Sequence, residues 1–287
     1  MTVSDPIHSS SEHQTTSDRR PDITGQAIST TEKTALLSVS DLHVMAGTKS
    51  LLNVDRFSMH PGEVVGVLGP NGAGKSTFFK AITGTLESSG EVKLHNRPRR
   101  AWNHQHLAQH LGVLAQSSEL TFPFQAQEVV ALGLTPLSIS HKEGWRLTHS
   151  VMDQADCLHL ADRSYPSLSG GERQRVQLAR VLLQLSQAEL APLLMLDEPT
   201  SAQDLGQQHG ILSLARKQAK QNGYGVLVIL HDLNQALQYC DRCCLIDKGE
   251  IALEGRPEKI LTPETIEYHW QYRPQIIQTD SGQTVLI

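Results

Sequence analysis

No apolar run in this 287-residue chain approaches the roughly 20 residues a membrane-spanning helix needs; runs such as Val64–Leu68 and Leu193–Leu196 are far shorter. The N-terminus has no apolar h-region, so no secretory leader is expected and the cytosol is the expected location. A basic excess is missing as well. Twenty-five Lys+Arg stand against 30 Asp+Glu, a net charge of −5, without the cationic footprint of a nucleic-acid binder. The same balance opposes direct adhesion to anionic lipid but not docking onto a membrane protein. Cysteine is scarce: Cys157, Cys240, Cys243 and Cys244 make no disulfide framework. The Cys240-x-x-Cys243 spacing lacks the second pair a zinc site requires, so these thiols are expected to be small buried hydrophobes. No internal repeat is present.

What the chain does have is 39% apolar residues and 21 glycines, ordinary for a folded globular protein. Its length, against about 150 residues per domain, points to two domains or subdomains. Residues 1–34 are rich in Ser, Thr and charge, with little apolar material to offset the entropy of ordering. They are expected to be a disordered extension, ahead of a folded domain over 35–262 and a C-terminal tail over 263–287.

From Ala35 onward, Val39, Val44, Leu51, Leu52, Val54, Phe57 and Met59 fall in short, partly alternating segments broken by Gly47 and Pro61-Gly62. They predict antiparallel hairpins, with Glu91–Leu94 as a further strand. Continuous apolar runs follow at Val64–Leu68, Leu193–Leu196, Val226–Leu230 and Cys243–Ile246, each short enough for a strand buried on both faces. Strands alternating with helical stretches imply an α/β domain with a parallel sheet. Within it, residues 117–175 carry helix-spaced apolar residues at Glu128–Leu132 and Val151–Leu160, the pattern of an inserted helical subdomain.

The strongest chemical signal is Gly69-Pro70-Asn71-Gly72-Ala73-Gly74-Lys75-Ser76, with Thr77 opening a helical stretch. Glycines let backbone N–H groups approach phosphate oxygens, and the helix N-terminus favours negative charge. Lys75 would meet the β- and γ-phosphates and the Ser76 hydroxyl a Mg²⁺ ion. The strand Leu193–Leu196 ends in Asp197-Glu198, placing two carboxylates at the edge of the sheet where ligands bind in such folds. Asp197 is suited to the Mg²⁺ shell and Glu198 to polarising an attacking water. These two elements indicate nucleotide hydrolysis and leave a small-molecule kinase open. A small GTPase would need a guanine-reading Asn-Lys-x-Asp, which Asp247-Lys248-Gly249-Glu250 does not supply.

Leu168-Ser169-Gly170-Gly171-Glu172-Arg173-Gln174-Arg175, upstream of the acidic strand, resembles the signature motif of ATP-binding cassette (ABC) proteins. Read by itself it is an N-cap serine and a glycine pair before a helix. The resemblance spans about Leu36 to Thr262. It implies a P-loop (RecA-like) parallel-sheet core with an antiparallel β subdomain and an inserted helical subdomain, binding ATP and Mg²⁺. It also implies that Ser169, Gly170 and Gly171 cover the γ-phosphate held by a second copy, so two chains pair head to tail. Gln116 resembles the Gln-loop residue that senses Mg²⁺ and the attacking water, and His231 the switch histidine. Ser201-Ala202-Gln203-Asp204 resembles the D-loop with Gln203 as a departure, and Asp204 is its acidic member. The family stacks adenine on an aromatic near the first hairpin, but Leu42–Gly47 contains none.

Thr121-Phe122-Pro123-Phe124, Glu128–Gly133, Val176–Leu182 and the long connection Gln184–Pro192 resemble the ATP-binding subunits of hemin importers and of their ferric-siderophore and cobalamin relatives. That resemblance implies ATP hydrolysis driving uptake at the cytoplasmic face of the inner membrane. Its partners are a transmembrane permease dimer and, indirectly, a periplasmic substrate-binding protein, with no nucleic acid. Phe122-Pro123-Phe124 reads equally as core packing or as the floor of a groove for a permease helix. Histidines such as His95, His104, His106 and His110 are not expected to bind haem directly. A non-transport ABC ATPase or an ATP sensor is disfavoured by the lack of a second cassette and by the intact Glu198 and His231.

Overall fold

β1 (Leu37–Ala46) and β2 (Lys49–Met59) form an antiparallel hairpin around Gly47. In β1 the buried positions are Leu37 and Val39, then Leu42 and Val44. The change of parity falls at Asp41, whose φ of +49° coincides with a break in the pairing of β1 with the strand over Ser89–Leu94. The computed structural model describes residues 1–2, 34–116, 122–200, 205–279 and 282–287. Most of the expected N-terminal extension therefore lies outside the described residues, as do Thr121 and Ser201–Asp204.

β3 (Val64–Leu68) is wholly buried and runs into α1 (Lys75–Thr83). β4 (Ser89–Leu94) returns to pair with β1, and the short β5 (Arg97–Pro98) completes a four-stranded antiparallel sheet ordered β2-β1-β4-β5. α2 (His104–His110) leads into β6 (Leu111–Leu114). Three helices come next: α3 (Ala126–Ala131), α4 (His141–Gln154) and α5 (Gly170–Leu185). α5 continues past residue 175 and buries Val176, Ala179, Leu182 and Leu183. β7 (Leu193–Leu196), α6 (Leu205–Asn222), β8 (Gly225–Ile229), α7 (Leu233–Tyr239), β9 (Arg242–Asp247) and β10 (Glu250–Gly255) complete the second sheet. Its order is β10-β9-β3-β8-β7-β6, parallel except where β10 turns back on β9.

The apolar runs need no alternation because this sheet is covered on both faces, and the period of two sorts each strand between two cores. Val65, Val67, Leu193, Met195, Leu227 and Ile229 face the core shared with the antiparallel sheet and α1. Val64, Leu68, Leu194, Leu196, Val226 and Val228 face the core shared with α3 to α7. All four cysteines are buried and unpaired, and burial pushes the Cys244 thiol up to about 12. Gly66 makes room for two of them: a Cβ there would meet the Sγ of Cys240 at 2.9 Å and that of Cys243 at 3.1 Å.

The C-terminal tail is structured. α8 (Pro257–Ile260) precedes α9 (Pro263–Trp270), which is capped by Thr262, and β11 (Ile276–Gln278) pairs with β12 (Thr284–Leu286). Thr34–Ile287 forms one compact unit that includes this tail.

Candidate functional site

The loop between β3 and α1 is shaped by glycines. Gly69 has φ +145°, and a Cβ there would lie 2.0 Å from the Ile246 carbonyl oxygen, so no other residue fits. Gly74 is the N-cap of α1 and supplies no side-chain cap, which leaves the first-turn N–H groups to the loop mouth. Buried Phe78, Phe79 and Ile82 anchor the helix beneath it. Lys75 is 5% exposed, and its Nζ donates to the carbonyls of Gly69 (2.7 Å) and Pro70 (3.1 Å). Desolvation lowers its pKa, and the charges of Glu198 and Asp197 oppose that shift. Asn71 through Thr77, with Leu51 and Glu198, line a cavity of about 210 Å³.

The acidic strand end sits beside this loop. The Asp197 N–H donates to the Leu114 carbonyl at 2.9 Å, continuing the ladder between β6 and β7 by one residue. Its Oδ1 is buried without a hydrogen-bond partner. Burial raises the Asp197 pKa, and the neighbouring Glu198 charge adds to the shift. Glu198 adopts φ +49°, a left-handed conformation that costs a non-glycine residue about 1–2 kcal/mol. Its two oxygens are held separately: His231 Nε2 lies 2.7 Å from Oε1, and Gln116 Nε2 donates to Oε2 at 2.6 Å. Gln116 follows β6 and His231 follows β8, so two parallel strands on either side of β7 deliver the two partners.

Ser169 caps α5, with Glu172 closing a capping box through the Ser169 N–H at 2.7 Å. A Cβ on Gly170 would meet nothing within 4 Å, whereas one on Gly171 would collide with Gln207. Ser169, Gly170 and Gly171 do not line the phosphate-loop cavity of their own chain. Asp204 lies outside the described residues.

Several contributors carry weak sequence signals. Leu51 of β2 lines the cavity. Asp232 caps α7 through the N–H groups of Asn234 and Gln235, at 2.8 and 3.4 Å; an Asp before an apolar helical stretch was the available signal. His269, Trp270 and Gln271 of the tail face Gly69, Pro70, Asn71 and His231 across a cavity of about 330 Å³, and nothing in their spacing announces that position.

The ABC transporter family pattern matches residues 52–201. The hemin import ATP-binding protein of Shewanella denitrificans is 49% identical over 253 residues, covering 88% of this chain and all of that one. The corresponding protein of Vibrio parahaemolyticus is 47% identical over 83% of this chain and 92% of that one. Among solved structures, cbiO1 of Clostridium perfringens, part of an ABC transporter complex, superposes with a TM-score of 0.70 at 25% identity, over 82% of this chain and 93% of that one. The ATP-binding cassette MJ0796, dimeric and bound to ADP and Pi, superposes with a TM-score of 0.66 at 26% identity, over 77% and 98%. The family match over residues 52–201 and these relatives show that the chain belongs to the ABC transporter family as an ATP-hydrolysing subunit.

Proposed function

We propose that this chain drives hemin import, working as a head-to-tail pair on the cytoplasmic side of a transmembrane permease dimer. The observation that carries the mechanism is the Glu198 carboxylate, held between His231 and Gln116 at the mouth of the phosphate loop. The cargo rests on the hemin-import relatives, which match the chain over most of its length. Selection of the solute belongs to the permease and, on the outer side, to a periplasmic binding protein.

In this reading the backbone N–H groups of Gly69–Thr77 cradle the phosphates and Lys75 meets the β- and γ-oxygens. Ser169, Gly170 and Gly171 of one copy, with Asp204, close over the nucleotide held by the other. Glu198 accepts a proton from the attacking water, while His231 and Gln116 fix the orientation of its oxygens. Among the described residues, no helix is long and apolar enough to cross a membrane, in keeping with attachment through a partner.

The buried, unpartnered Asp197 Oδ1 and its raised pKa suit a hard cation, and Mg²⁺ fits this all-oxygen donor set. Asp197, the Ser76 hydroxyl and the Gln116 amide oxygen would hold it, and it would supply charge neutralisation on the phosphates.

Phe122 and Phe124 are 67% and 42% exposed, with ring centroids 6.2 Å apart. Core packing is therefore not their role, and with half-exposed Leu132 (47%) they suit the floor of a groove for a permease helix. The test is ATPase activity of the chain assembled with its permease in liposomes, with the binding protein empty or loaded with hemin, a ferric siderophore or cobalamin. Stimulation by the hemin-loaded form alone is the expected result. Stimulation by another ligand would keep the mechanism and change the cargo, and no stimulation by any would remove the importer reading.

A further inference from the structure

His231 stands on a short, exposed connection. Its side chain is 47% exposed, β8 ends two residues before it and α7 begins two residues after it. Upstream, Leu230 is buried and its N–H donates to the Val67 carbonyl at 3.3 Å. Downstream, the anchor is α7, only seven residues long. Two turns of helix are marginal by themselves, so tertiary contacts must hold α7 in place. Ala236 and Tyr239 are buried, and Leu233 and Leu237 pack against the same core half-buried.

The first turn of α7 is held by polar contacts on two sides. Gln235, 4% exposed, accepts from Thr200 Oγ1 at 3.2 Å and donates to Gln208 at 2.7 Å. Asn234 reaches the C-terminal hairpin: its Nδ2 donates to the Leu286 carbonyl at 3.0 Å, and its Oδ1 accepts the Leu286 N–H at 2.8 Å. The register explains why Leu286 is available. Ile287 and Gln275 exchange both backbone hydrogen bonds with each other, at 2.9 and 3.0 Å. Leu286, one residue earlier on β12, therefore turns its own N–H and C=O away from β11. The Asn234 amide, with one donor and one acceptor in a plane, satisfies both groups as a neighbouring strand would. The Leu286 side chain is 9% exposed and joins the core that also contains Ala236 and Tyr239.

We infer that Asn234 is a positioning residue for ATP hydrolysis, clamping the C-terminal hairpin through Leu286 so that the connection bearing His231 is fixed against Glu198. The inference rests on His231 acting as the switch residue proposed above. It gives the tail a part in the catalytic step: β12 is the abutment against which the start of α7, and with it the imidazole 2.7 Å from Glu198 Oε1, is held.

The experiment compares steady-state ATP hydrolysis by the full-length permease complex carrying Asn234→Ala, Leu286→Pro, both substitutions, or His231→Ala. Leu286→Pro removes the N–H that points at Asn234 and leaves the hydrogen bonds between β11 and β12 intact. It also removes the buried leucine side chain, so Leu286→Ala, which removes that side chain and keeps the N–H, is the reference for it. Each clamp variant is expected to lower kcat about 5- to 10-fold with KM for ATP unchanged. With the loss in Leu286→Ala taken as the reference for the side chain, the double variant should fall no further, because both substitutions break one contact. Asn234→Asp, which keeps the acceptor for the Leu286 N–H, should recover part of the loss. Unchanged kcat in Asn234→Ala and Leu286→Pro, or losses that multiply in the double variant, would overturn the clamp. Full activity in His231→Ala would instead remove the switch assignment on which it stands, so the two failures are distinguishable.

Discussion

His231 Nε2 lies 2.7 Å from Glu198 Oε1, and this contact brings together residues 33 positions apart at the ends of two neighbouring parallel strands. Gln116 donates to the other oxygen of the same carboxylate. Glu198 thus has both oxygens oriented while its backbone sits at φ +49°. A left-handed carboxylate residue at the end of a buried strand persists only when its surroundings enforce it. Gln116 and His231 are among the groups that hold its side chain, and they are also the groups proposed to align a water. In that reading strain and catalytic geometry share these hydrogen bonds.

Glu198→Gln tests the base directly. The amide is isosteric and can still meet the phosphate-loop cavity, but it cannot accept a proton from water. Hydrolysis is expected to fall at least ~10²-fold, within the usual contribution of a general base, with nucleotide binding preserved. Size-exclusion chromatography with ATP should show the variant accumulating as a closed dimer. Turnover at the normal rate would remove Glu198 from the role.

Lys75 is nearly buried and its ammonium is held by two loop carbonyls. A phosphate would offer it a charged acceptor in their place, an exchange worth about 1.5–3 kcal/mol for a charged hydrogen bond. Lys75→Ala should therefore weaken binding of a non-hydrolysable ATP analogue by roughly 10- to 100-fold, measured by isothermal titration calorimetry. Unchanged affinity would refute the phosphate contact.

Gly66 predicts a packing effect inside the sheet. The Cβ of Gly66→Ala would press on two thiols at the centre of the sheet. Overpacking of this kind costs about 1–3 kcal/mol, seen as a lower Tm. Adding Cys240→Ala removes the nearer sulfur and should restore part of the loss. A variant as stable as the parent would mean that the β3–β9 region yields more readily than its packing suggests.

The core strands were legible because burial on both faces writes them as unbroken apolar runs: Val64–Leu68 and Leu193–Leu196 appear as strands with the bounds the sequence suggests. Gly69–Ser76 was legible as a tight loop because Gly69, Gly72 and Gly74 all take positive φ there. The parity change at Asp41 was not, since a single left-handed residue inverts the facing of everything beyond it without leaving a mark in composition. Nor was the tail, whose β12 is only three residues long and is held by β11, by the Asn234 side chain and by the one buried residue Leu286. Phe122-Pro123-Phe124 shows the limit in the other direction: an aromatic pair has the same appearance in sequence whether it is buried or, as here, largely exposed.

The long connection before β7 carries a pH-dependent fastening. His110 is 5% exposed; its Nδ1 donates to the His106 carbonyl at 2.8 Å, and its Nε2 accepts the Leu190 N–H at 3.2 Å. That second bond requires a neutral ring, because a protonated Nε2 would face the Leu190 donor with another proton. Desolvation lowers the His110 pKa; hydrogen bonding to His106 and the Glu189 charge oppose that shift, while the His95 and His106 charges add to it. Below a pH of about 6.5 the unfolded chain protonates this histidine while the folded chain still resists. The folded state then binds fewer protons, so stability falls as pH falls. The contribution is fully present above the unfolded pKa and is lost as pH drops through the depressed folded value. Thermal unfolding at pH 7.5 and pH 5.5 should show a smaller drop in Tm for His110→Gln than for the parent, since glutamine can keep a donor and an acceptor without titrating. An equal drop in both would place the pH dependence on other groups.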